Sequence, residues 1–163
     1  MTKFPDIGLI TSTTVTVESA EPNTVVVIDD KSEQIAAAEK AVTDAGFKVR
    51  SVRAGPDTKS KLWKTIALPG VVGILTDLMF PLSDSSGVQP NGLLVAVHGV
   101  SLGIPVVICT DADGDHHAGG CGAVRDGYYN GWVSEPAFGF DESKNWAYAM
   151  KELISRMKTT PQG

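Results

Sequence analysis

Apolar residues follow two rhythms along this chain. Short β-branched runs such as Val25-Val-Val-Ile28 and Val71-Val-Gly-Ile-Leu75 are bounded by turn residues, as buried strands are. Between them, apolar positions recur every three or four residues, as on the inner side of a helix. In chain order, Thr24–Ile28 is a first strand. Ile35, Ala38, Val42 and Ala45 mark a first helix, with Ser32 as its N-cap and Gly46 as its stop. Phe47–Val52 is a second strand. Leu62, Trp63 and Ile66 mark a second helix, opened by Asp57 and closed by Pro69-Gly70. A third strand ends at Asp77, and the turn-rich segment Pro81–Pro90 follows as a loop. Leu93, Leu94, Val97 and Val100 indicate a third helix, Ile104–Thr110 a fourth strand, and Trp132-Val133 the start of a short fifth. Trp146, Met150, Leu153, Ile154 and Met157 form the apolar side of a last helix, with Asp141 or Ser143 near its start.

Strands separated by helical patterns imply right-handed crossovers. The expected fold is therefore a single doubly wound α/β domain with a five-stranded parallel sheet. It spans residues 24–158. Residues 1–23 form an arm or an extra edge strand, because Thr13–Glu18 alternates, and residues 159–163 are a tail.

Composition narrows the function classes. The chain has 163 residues, 42% hydrophobic and 20% charged, enough for one core without disulfides. Its formal charge of −5 argues against nucleic acid as a partner. Lys59, Lys61 and Lys64 belong to the solvated face of the second helix. Cys109 falls in a buried strand and Cys121 in a glycine-rich loop, which suits a reducing compartment. With no signal peptide and no apolar run of about 18 residues, the expectation is a soluble cytoplasmic protein without a membrane partner.

The densest chemistry lies at strand ends. Asp29-Asp30 closes the first strand and Asp77 closes the third. Single aspartates at such places are common as turn or cap residues. Two adjacent acids, with a third ending a neighbouring strand, converge where open α/β sheets bind ligands. Such crowding of like charges favours a divalent cation, with Asp29, Asp30 and Asp77 as ligands.

In order and spacing these motifs resemble the receiver domain of two-component response regulators, over roughly residues 24–158. Asp29-Asp30 resembles the family's metal-binding acidic pair. Asp77-Leu-Met-Phe-Pro81 resembles its phosphoacceptor motif, Ile104–Thr110 the strand ending in a switch hydroxyl (here Thr110), and Trp132–Pro136 the last strand with an aromatic switch residue at Trp132. The resemblance implies a sheet order of 2-1-3-4-5, phosphoryl transfer to Asp77 with Mg²⁺, and a histidine kinase or downstream target as protein partner. One position departs from the pattern. Glu135 stands immediately before the proline of the last strand, where the family places a phosphate-binding lysine. No substitute is evident on this reading, because Lys31 starts the first helix and Lys144 lies well past the strand end. A carboxylate there would oppose incoming phosphate, so a phosphorylation-impaired pseudo-receiver, binding a partner constitutively, is the competing expectation.

The run Asp111-Ala-Asp-Gly-Asp-His-His117 is the other dense cluster. It fails the calcium-loop pattern at His116 and Gly122. It reads first as a polar loop, and second as a transition-metal site using Asp113, His116 and His117. A small metal-dependent phosphoesterase centred on residues 111–117 is the third expectation.

Overall fold

The structure is a computed structural model that describes residues 18–83, 87–110 and 144–159. Within them the order is β1 (Thr24–Asp29), α1 (Ser32–Asp44), β2 (Lys48–Arg53), α2 (Lys59–Ile66), β3 (Val71–Thr76), β4 (Phe80–Pro81), β5 (Val88–Gln89), α3 (Asn91–Ser101), β6 (Val106–Ile108) and α4 (Trp146–Thr159). Four strands form a parallel sheet in the order β2-β1-β3-β6. This is the order expected for the first four strands. The segment assigned to the fifth, Trp132–Pro136, lies outside the described residues.

The strands are short and apolar because both faces of the sheet are covered. Successive side chains point to opposite faces. Val26, Ile28, Ile74 and Ile108 pack with Leu62 and Ile66 of α2 and Val95 and Ala96 of α3. Val25, Val27, Leu75 and Val107 pack with Ala38 and Val42 of α1 and Ala149, Met150 and Leu153 of α4. Helices therefore lie on both faces, and each described helix follows the carboxyl end of a strand or begins near one.

Several local expectations change. Pro81–Pro90 is not wholly loop: Phe80–Pro81 and Val88–Gln89 pair antiparallel as a small hairpin. The Asn91 amide side chain secures the hairpin by donating to the Phe80 carbonyl at 2.6 Å. Thr58 rather than Asp57 precedes α2. At α4 the capping residue is Asn145, whose Oδ1 accepts the Tyr148 N–H at 3.0 Å. The largest change is the rotation of α3. Val95, Ala96 and Gly99 face the sheet, while Leu94, Val97 and Val100 are 54%, 54% and 53% exposed. The helix has no charged residue, so periodicity could not distinguish its inner side from its outer one.

Gly70 and Gly92 are required by close approach of neighbouring backbone. Gly70 has φ +95, and a Cβ there would lie 2.6 Å from the Ala20 carbonyl oxygen. The chain ahead of β1 is held at that turn, where the Ala20 N–H donates to the Pro69 carbonyl at 2.9 Å. Glu18 reaches Arg50 on β2 at 2.8 Å, an exposed pair. Gly92, in the first turn of α3, would place a Cβ 2.2 Å from the Asp77 carbonyl oxygen. Only a residue without a side chain lets α3 abut the end of β3. No helix among the described residues is long and apolar enough to cross a membrane.

Candidate functional site

The acidic residues meet because β1 and β3 are neighbours in parallel register. Ile28 pairs with Thr76, and the Asp77 N–H donates to the Ile28 carbonyl at 2.8 Å, so both strands end level. Asp29, Asp30 and Asp77 each place a carboxylate oxygen within 4.8 Å of the others. Asp29 and Asp77 are buried and Asp30 is half-buried.

Each buried carboxylate is fixed by the backbone that follows it. Asp29 Oδ1 accepts the Lys31 N–H at 2.8 Å, and Asp77 Oδ1 accepts the Leu78 N–H at 2.7 Å. Their other oxygens share one cation. The ammonium of Lys144 lies 2.6 Å from Asp29 Oδ2 and 2.9 Å from Asp77 Oδ2, with its side chain 1% exposed. This overturns the expectation that Lys144 sits too far along the chain to reach the acids. Lys144 stands two residues ahead of α4, and helix starts in a parallel α/β fold lie at the ligand end of the sheet. That signal was available in the sequence. It was obscured by measuring Lys144 from the end of the last strand rather than from the start of the last helix.

Among the described residues the cluster holds three carboxylates and one ammonium, so carboxylates outnumber the cation. Burial raises the Asp77 carboxyl to about 6, against the lowering pull of Lys144. Burial also raises the Asp30 carboxyl, with the neighbouring Asp29 charge adding to the shift. Desolvation lowers the Lys144 pKa, but the attraction of Asp77 and Asp29 outweighs it and leaves the ammonium above its ordinary value. Asp30 Oδ1 is buried and accepts no hydrogen bond from the described residues. A buried orphan oxygen on a half-buried carboxylate, beside two further carboxylates, is the donor chemistry a hard divalent cation requires.

Thr110 is buried two residues beyond β6, whose Ile108 pairs with Thr76, so it stands at the same end of the sheet. Trp132, Glu135, Asp113, His116 and His117 lie outside the described residues, and with them the second metal candidate. His98 is half-buried on α3 and meets Trp63 edge-on, with ring centroids 5.3 Å apart.

No family model matches the chain, and no curated protein does. Solved structures do match it. A response regulator receiver protein from Sinorhizobium medicae WSM419 has a TM-score of 0.60 at 19% identity, covering 86% of this chain and 98% of that one. A CheY-like receiver domain protein from Methanospirillum hungatei JF-1 has a TM-score of 0.59 at 10% identity, covering 86% and 97%. A receiver protein from Pseudomonas putida has a TM-score of 0.54 at 15% identity, covering 85% and 99%. Identities this low leave the fold as the shared property. The chain has the fold of response-regulator receiver domains, with an acidic cluster at the carboxyl end of its parallel sheet.

Proposed function

We propose that this chain is a receiver-type signalling domain in which Asp77 accepts a phosphoryl group and passes its state to a protein partner. The observation that carries the reading is Lys144, a buried ammonium in direct contact with Asp77. It supplies a cation where the motif position holds Glu135, and so favours a phosphorylatable receiver over a pseudo-receiver.

The chemistry follows from the arrangement. An Asp77 carboxylate oxygen attacks the phosphorus of a phosphodonor such as the phosphohistidine of a kinase. A P–O bond forms to Asp77 as the donor's bond to phosphorus breaks, and the leaving group departs with that electron pair. The Leu78 N–H holds one carboxylate oxygen and so orients the other. Lys144 is already desolvated, and it exchanges its contact with Asp77 for one with a phosphoryl oxygen. Asp29 keeps its own contact with the ammonium and limits its movement. A Mg²⁺ ion held by Asp30, Asp29 and Asp77 would neutralise charge on the transferring group. Thr110, at the adjacent strand end, is the hydroxyl placed to sense the new charge.

The test is incubation with acetyl phosphate and Mg²⁺, read by mass spectrometry. A single acyl phosphate on Asp77, lost in Asp77→Ala, supports the reading. A protein that stays unmodified, or is modified only elsewhere, defeats it.

A further inference from the structure

Lysine is a poor instrument for placing charge unless its flexible stem is held. Its four-carbon chain carries about 2 kcal/mol of rotamer entropy. The Lys144 ammonium nonetheless sits between two carboxylates, with its side chain 1% exposed. The backbone that delivers it leads directly into the first turn of α4, so the position of that turn relative to the acids governs where the ammonium sits.

Trp146 is the residue in position to do so. It is 3% exposed and packs into the core shared by α1, α4 and the sheet. Its indole Nε1–H donates to Gln34 Oε1 on α1 at 2.9 Å. Its ring lies 5.9 Å from the Lys144 ammonium, within reach of a cation–π attraction. Gln34 stands in the first turn of α1, a helix that begins two residues after Asp30. The bond therefore ties the start of α4 to the start of α1, and α1 continues directly from the acidic pair. Lys144 reaches the acids from 115 residues away in sequence, so this tie is what converts a distant lysine into a local one.

We propose that Trp146 and Gln34 are positioning residues for Lys144. Together they hold the first turn of α4 so that the ammonium meets Asp77. The kinetic part of the test rests on the phosphoacceptor reading above; the chemical-accessibility part does not.

Trp146→Phe keeps the apolar ring and removes the donor, and Gln34→Met removes the acceptor at similar volume. Gln34→Glu retains the acceptor and serves as the rescue variant. Lysine acylation by acetic anhydride, with site-resolved mass spectrometry, reads the position of the ammonium directly. Lys144 should be protected in the parent and react roughly fivefold faster in Trp146→Phe and Gln34→Met, the scale of one lost side-chain hydrogen bond. Exposed lysines such as Lys59 should be unchanged, and Gln34→Glu should restore protection. Acetyl phosphate labelling of Asp77 should slow by a similar factor in the first two variants and recover in the third. Unchanged Lys144 reactivity in both variants would overturn the proposal, as would a uniform rise across all lysines, which signals general loosening. If the parent is not labelled at Asp77, the phosphoacceptor reading falls, and the acylation pattern still decides the positioning role.

Discussion

Replacing Lys144 with methionine removes the ammonium that lies between Asp29 and Asp77 while retaining most of the apolar stem. Lys144 is within 2.6 Å of Asp29 and 2.9 Å of Asp77, and all three side chains are at most 5% exposed. Breaking a buried pair by deleting one partner costs about 3–5 kcal/mol, because the remaining charge is left uncompensated. At about 2–4 °C per kcal/mol for a chain of this size, Lys144→Met should melt roughly 6–20 °C below the parent at pH 7. The loss should depend on pH in a definite direction. Burial holds the Asp77 carboxyl at about 6, above its ordinary 3.8, and removing the lysine takes away its main lowering influence. A folded-state pKa above the unfolded value means that the folded protein binds the proton more tightly. Stability from this group is fully present below the unfolded pKa and is lost as pH rises through the folded one. The deficit of Lys144→Met should therefore be largest at pH 7 and shrink towards pH 5, where Asp77 can take up a proton. Mg²⁺ should also recover part of it. Thermal unfolding followed by circular dichroism at both pH values is the assay. Melting temperatures within about 2 °C of the parent at pH 7, or a deficit that grows on acidification, would refute this electrostatic reasoning.

Mg²⁺ at about a hundred times its dissociation constant should stabilise the parent by roughly 2.7 kcal/mol, and Asp30→Asn should lose most of that gain, as read by calorimetry with and without the ion. Val95→Asp should unfold the domain or cost several kcal/mol, because Val95 is fully buried, whereas Val97→Asp should cost less than about 0.5 kcal/mol because Val97 is 54% exposed. Urea titrations of the two variants check the observed rotation of α3, and equal losses would contradict it. Gly92→Ala places a methyl group 2.2 Å from the Asp77 carbonyl oxygen and must push α3 off the end of β3. A loss of about 1–3 kcal/mol is expected, together with slower labelling of Asp77.

Most of the fold was legible in the sequence because buried parallel strands write themselves as unbroken apolar runs. Val25–Ile28 and Val71–Leu75 are short β-branched runs of that kind, and the strand order came from the alternation with helices together with the family resemblance. The acids were legible for the same reason, since each closes an apolar run at the end where such sheets bind ligands. Two features were not. The inward side of α3 was ambiguous because a helix without charged residues offers no polar face to mark its outside. The cation was missed because Lys144 joins the site through tertiary structure alone. Its partners lie 115 and 67 positions earlier in the chain, and the residue fixed by motif spacing, Glu135, drew attention to a different place. Distance past the last strand set Lys144 aside, whereas its place just ahead of α4, beside the cap Asn145, is what brings it to the acids.

The central claim is that Asp77 is a phosphoacceptor whose phosphoryl group is met by Lys144. The most direct test is a crystal structure of the protein with Mg²⁺ and beryllofluoride. The account predicts beryllofluoride on an Asp77 carboxylate oxygen, with the Lys144 ammonium about 3 Å from a fluoride. Density on another residue, or an adduct at Asp77 with Lys144 turned away from it, would contradict the account.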